Sequence, residues 1–104
     1  MQEAISPRQQ VAINLLDVCI FGGLDEGPGV SFSKQTDAKG KLYWSVTFAK
    51  AGILDGVIKV YSPNFILVSW QTAIRDLPST GREVCKTETQ AREFLTNNFI
   101  KRFI

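Results

Sequence analysis

Chemistry at a protein site depends on a short list of side chains, and this chain lacks the most used of them. It has no histidine. That removes the commonest general base, the usual partner of a serine or cysteine nucleophile, and the commonest zinc ligand. Carboxylates and lysines can also move protons, but no two of them stand at a spacing that nominates an acid–base pair. Asp25-Glu26 and Asp55 fall in stretches read as loops, where acids are ordinarily solvated. To a cation, Asp25-Glu26 offers two oxygens without the spaced ligands of a calcium loop. The expectation is therefore no catalytic residue, no metal ligand, no cofactor and no enzymatic activity.

Three further patterns fail on context. Gly22, Gly23, Gly27 and Gly29 follow a helix and precede a strand, the reverse of the order in a phosphate-binding loop. Leu77-Pro78-Ser79-Thr80-Gly81 has the form of a cell-wall sorting signal, but Arg82-Glu83 and a polar helix follow it instead of a membrane segment. Val11–Phe21 is long enough for a signal-peptide core. It contains Asn14 and Asp17, lies behind Glu3, lacks small residues at a cleavage site and is too short to span a bilayer. There is no Asn-x-Ser/Thr acceptor. Cys19 and Cys85 each sit in an apolar stretch and read as small hydrophobes, reduced, with the question of their meeting left open. These features point to a soluble cytoplasmic protein with no membrane partner.

The length of 104 residues suits one domain spanning 1–104. With 44% hydrophobic and 21% charged residues it matches an ordinary globular composition and excludes disorder. The formal charge of +2 is too small to argue for nucleic acid by itself. It is unevenly spread: residues 1–27 carry Glu3, Asp17, Asp25 and Glu26 against Arg8 alone, so the positive excess lies further on.

Ser6-Pro7-Arg8-Gln9 predicts a helix start, with Ser6 as cap, Pro7 at the first helical position and Gln9 completing a capping box. The helix carries an apolar arc from Val11 to Ile20 wider than one sheet contact needs, so it is either deeply embedded or shared with a partner. Gly22-Gly23 ends it. Strands follow: Val30 and Phe32 alternate with serines, then Leu42, Trp44, Val46 and Phe48, then Ile58 and Val60, then Ile66, Val68 and Trp70. Reversals are expected at Asp37–Gly40, at Gly52 and Asp55-Gly56, and at Ser62-Pro63-Asn64, all too short for parallel crossovers. A long loop spans Ala73–Gly81, and residues 82–86 carry a weak signal for a fifth strand. Thr87-Glu88-Thr89-Gln90 caps a second helix presenting Ala91, Phe94, Leu95, Asn98 and Phe99 on one side. It ends at Asn97-Asn98 or runs to the C-terminus. The final six residues, apolar around Lys101 and Arg102, are too short for a membrane-surface helix and suit docking on the domain or a partner. The fold class is α+β: an antiparallel sheet of four or five strands, with an N-terminal and a C-terminal helix on one face.

If the Trp44–Trp70 set faces the helices, the other face shows Tyr43, Ser45, Thr47, Val57, Lys59, Tyr61, Phe65 and Leu67, more apolar than a solvated surface requires. Three accounts compete. The leading one is a protein-interaction surface, adaptor-like or inhibitor-like, for a partner or a second copy, built on Tyr43, Val57, Lys59, Tyr61, Phe65 and Leu67. The second is cover by the C-terminal segment or the long loop. The third is a stacking platform for single-stranded nucleic acid using Lys41, Tyr43, Lys59 and Tyr61.

Overall fold

The computed structural model describes residues 6–25 and 32–103, with the side chain of Phe103 outside it. Glu26, the Gly27-Pro28-Gly29 connector and the expected strand start at Val30-Ser31 lie outside the described residues. Helix α1 spans Pro7–Phe21 and begins as the sequence dictates. Ser6 is extended, and its hydroxyl accepts the Gln9 amide, one of the donors that a helix start leaves unpaired. At the other end the Gly22 amide donates to the Val18 carbonyl and the Gly23 amide to that of Ile20, and Gly23 takes φ 77°, where a side chain would be strained.

Five strands follow in a simple meander, β1 (Phe32–Thr36), β2 (Leu42–Lys50), β3 (Leu54–Ser62), β4 (Phe65–Thr72) and β5 (Thr80–Cys85), each antiparallel to the one before it. Helix α2 (Glu88–Asn98) and a 3-10 turn, η1 (Ile100–Phe103), close the chain. The second helix thus stops at Asn98. Thr87 caps α2 by accepting the Gln90 amide, while the Gln90 side chain reaches back to the amide of Lys86, one residue beyond the usual capping-box partner. Both helices lie on one face, α1 over β2 and β3, α2 against β4 and β5. No helix among the described residues is long and apolar enough to cross a membrane.

The core fills the space between helices and sheet. Val11, Ala12, Leu15 and Cys19 from α1, and Ala91, Leu95 and Phe99 from the second helix and its end, meet Val46, Phe48, Ile58, Val60, Ile66 and Val68. The wide apolar arc of α1 is only partly used. Its buried stripe is Val11, Ala12, Leu15 and Cys19, whereas Ile20 is 46% and Phe21 91% exposed. A polar tie, Asn14 donating to Glu88 at 2.8 Å, joins the two helices on the solvent side of that stripe.

Two turn assignments change. The β2–β3 reversal is confined to residues 51–53, with Gly52 at φ 80°. Asp55 and Gly56 are strand residues, opposite Ala49 and Phe48. Gly56 serves packing there instead of reversing the chain, because a Cβ on it would stand 2.1 Å from the Phe48 ring. The long loop is also shorter than its sequence implied, since Thr80 and Gly81 already belong to β5.

Cys19 and Cys85 are both buried and unbridged. Burial, with a smaller push from the Asp25 charge, drives the Cys19 thiol from 9.0 up to about 12. Burial, then Glu83, also raises Cys85. A thiol whose folded pKa is raised stabilises the native state fully below the ordinary thiol range and loses that contribution as pH climbs towards the folded value. Both cysteines should therefore resist a disulfide exchange reagent at mildly alkaline pH and react together once denaturant is added. Rapid labelling of either thiol in the native protein would contradict this burial.

Candidate interaction surface

The register sorts the outer face into rows. One row runs Ser33, Ser45, Lys59, Leu67 and Val84, and another brings Gln35 and Tyr43 beside Tyr61 and Phe65. The following rows turn polar: Thr47, Val57, Ser69 and Arg82, then Ala49, Asp55, Gln71 and Thr80. The apolar character of the face is therefore concentrated at the end nearest the β1–β2 turn. Tyr43, Lys59, Tyr61, Phe65 and Leu67 come together there. Val57 shares the face but stands one row away, between Thr47 and Ser69.

The rings form a ladder. Tyr43 and Tyr61 have centroids 5.0 Å apart, and Tyr61 meets Phe65 edge-on at 5.5 Å. The Lys59 ammonium sits 5.2 Å from the Tyr43 ring centroid, within cation–π reach. Pairing slips by one residue between Val60 and Ser62, which leaves Tyr61 without a direct cross-strand partner. Such a bulge in mid-strand would interchange the two faces. At the last turn of β3 it only re-aims Tyr61, towards the β1–β2 turn.

That turn is built by Asp37. Its Oδ1 accepts the amides of Lys39 and Lys41, both at 2.9 Å, and Gly40 takes φ 83° to complete the reversal. Its Oδ2 accepts the Tyr61 hydroxyl at 3.3 Å, a long contact for a charged acceptor and weaker than the two backbone bonds. The Lys41 amide above all holds the carboxyl below its ordinary 3.8, and the Lys39 amide, the Tyr61 hydroxyl and the Lys41 charge help it outweigh desolvation, which pushes the other way. Tyr61 is pushed above 10.0 by desolvation first, then by the Asp37 charge and its hydrogen bond.

The signs give a window. A depressed Asp pKa contributes stability above the carboxylate range that is lost as pH falls through the folded value. A raised Tyr pKa contributes below the phenol range and is lost as pH rises through its folded value. The turn-to-ladder link is complete between the two. In an ultraviolet phenolate titration, Asp37→Asn should move the Tyr61 ionisation down towards 10, and Tyr61→Phe should remove it. An unchanged curve for Asp37→Asn would dissolve the link.

Around this end lies an open groove of about 800 Å³, lined by Tyr61 and Phe65 of the ladder, Leu67, the turn and Arg8 from the start of α1. Arg8 reaches it from the helix and donates to the Leu42 carbonyl at 3.1 Å. Lys39 and Lys41 flank it, and neither has a carboxylate within ion-pair distance among the described residues. Sequence reasoning named Lys41 but not Arg8, Asp37 or Lys39. The short spacing of Asp37 and Gly40 marked a turn, and nothing local says that this turn folds beside Tyr61. No described helix covers the outer face. The long loop runs instead to the β2–β3 turn, through Thr72 and Ala73 onto the Ile53 carbonyl, and to the C-terminus through Asp76 and Arg102 at 2.8 Å. Cover by either segment, one of the three accounts, is not what the structure places there. Among the described residues no group of three or more His, Cys, Asp or Glu side chains could hold a metal ion.

Comparison with family models, curated proteins and solved structures gave no match. The surface has to be read from its own chemistry.

Proposed function

We propose that this chain is a small, non-catalytic protein-interaction module that engages its partner through the aromatic end of the outer sheet face. The observation that carries the reading is the exposure of Phe65 (46%) and Val84 (53%) beside Tyr61 and Leu67, on the face opposite both helices. Burying a large apolar side chain from full exposure is worth about 1.5–3 kcal/mol, and Phe65 and Val84, each about half exposed, keep roughly half of that for a partner. Two buried free thiols fit a reducing, cytoplasmic setting.

The sheet edges favour a different chain over a second copy. The Asp37 amide donates to Lys41 and the Thr72 amide to Ser79. By the alternation of antiparallel ladders, the peptide groups that point out from β1 then belong to Phe32, Lys34 and Thr36, and those from β5 to Thr80, Arg82 and Val84. A two-fold pairing centred on Lys34 or on Arg82, the middle of each edge, would set each cation against its own copy.

The test is association of Tyr61→Ser and Phe65→Ser with a partner captured by the wild-type protein and then purified. Association should fall at least tenfold while thermal melting changes little. Normal association by both variants would move the interface elsewhere. The nucleic-acid reading rests on the same rings mixed with Lys41 and Lys59. It is weaker because Tyr43 is overlaid by Lys59 and Tyr61 is engaged by its neighbours, leaving few flat ring faces for bases. Salt-sensitive binding of a mixed-sequence single-stranded oligonucleotide, lost on replacing Tyr43 or Lys41, would put it first.

A further inference from the structure

We infer that the partner contributes an extended acidic segment with one apolar or aromatic anchor, seated in the groove between the β1–β2 turn and the ring ladder. This rests on the interaction reading above and specifies the chemistry of the occupant. The groove floor is apolar, made by Tyr61, Phe65 and Leu67, and its walls carry Arg8, Lys39 and Lys41. Asp37 is the one acid among the lining residues, and its hydrogen-bonding oxygens are turned to the chain itself. One oxygen takes two backbone amides and the other takes the Tyr61 hydroxyl. An incoming chain therefore meets three cations against one carboxylate, a net positive rim around an apolar floor.

The two parts divide the work. Exposed ion pairs are individually weak, each worth up to a few-fold in affinity, and are screened beyond a Debye length of about 8 Å at physiological salt. The cations would thus select an acidic segment and speed its arrival, while the anchor on Phe65 holds it. Nucleic acid also brings negative charge, but its bases need free ring faces, and Lys59 lies over Tyr43 while Tyr61 packs on Tyr43 and Phe65. A peptide side chain needs only the apolar floor.

A displayed random-peptide library selected on the purified chain tests this, with the recovered peptides measured by fluorescence polarisation. The expected peptides carry an aromatic or large aliphatic residue next to Asp or Glu. Their affinity falls with added salt, drops at least tenfold with Lys39→Glu/Lys41→Glu at low salt, and is lost with Phe65→Ser. Lys39→Ala/Lys41→Ala should show a smaller loss, and melting curves should confirm that all variants fold. Peptides without acidic enrichment that need Phe65 but ignore both lysines would overturn the acidic occupant while leaving the interaction surface standing. Recovery of no peptide, or of peptides indifferent to Phe65, would overturn both. Displacement of the peptides by a mixed-sequence oligonucleotide at equal concentration would replace the acidic peptide with nucleic acid.

Discussion

Replacing Phe99 with alanine should destabilise the protein by about 3–5 kcal/mol, the range for emptying a buried aromatic site. Phe99 is fully buried immediately after α2, and three other rings surround it. Phe48 lies at 5.7 Å, Trp70 at 5.6 Å and Phe94 at 5.8 Å between centroids, the last two nearly edge-to-face. It therefore couples the end of α2 to β2 and β4 at once, and no flexible side chain stands ready to fill the space. Against a net stability of about 5–15 kcal/mol for a domain, that loss removes a large share and should lower the melting temperature on the order of 20 °C. Urea unfolding is the direct measurement: the midpoint should drop with little change in slope. Phe21→Ala is the matched control. That ring is 91% exposed, and its removal should change stability by no more than about 0.5 kcal/mol. A loss below about 1 kcal/mol for Phe99→Ala would mean that the four rings do not form one packed unit.

Much of this architecture was legible in the residues because its signals are local. Ser6-Pro7 marks the start of α1 through the chemistry of the cap. The period of two in β2 and β4 assigns faces, since alternate side chains cannot avoid opposite sides. Features that depend on distant partners were faint or not legible, and the fifth strand was only a weak signal at residues 82–86. Strand β5 buries only Cys85 and carries Arg82 and Glu83, so it has almost no apolar pattern of its own. It exists because β4 offers it a hydrogen-bonding edge from Ile66 to Gln71. The polar end of β1, Lys34-Gln35-Thr36, is strand for the same reason, in register with Trp44, Tyr43 and Leu42. The arc of α1 did not tell which of its residues the sheet buries, because apolar composition does not say where the sheet stops. At the candidate site, the ring ladder followed from alternation along β2, β3 and β4. Arg8 did not, because its contact with Leu42 spans 34 residues. Asp55-Gly56 misled most, since an Asp-Gly pair is a strong turn signal.

That glycine carries the other large effect. Across four strands, Phe48, Gly56, Trp70 and Gly81 lie directly opposite one another in turn, ring and glycine alternating along a single row. Each ring lies over the neighbouring glycine, filling space that a side chain there would occupy. A Cβ at Gly56 would fall 2.1 Å from Phe48 Cζ, far inside contact distance. Nothing can retreat easily: β3 is paired on both sides, and Phe48 is buried against Phe99. Alanine has the better strand propensity, by a fraction of 1 kcal/mol, but overpacking costs about 1–3 kcal/mol, so sterics should win and Gly56→Ala should destabilise. Gly81→Ala makes a similar clash, 2.2 Å from Trp70 Cζ2. Its strand is at the sheet edge and Trp70 is partly exposed, so backbone and ring can both shift and the loss should be smaller. The deciding experiment is a double-mutant cycle with Phe48→Leu, which shortens the side chain where the ring now crosses Gly56. In that background Gly56→Ala should cost at least about 1 kcal/mol less than in the wild type, a coupling expected of residues in direct contact. Additive losses would place the Phe48 ring away from Gly56. The glycine would then be reporting backbone preference alone, and the alternating row would no longer account for why an Asp-Gly pair sits inside a central strand.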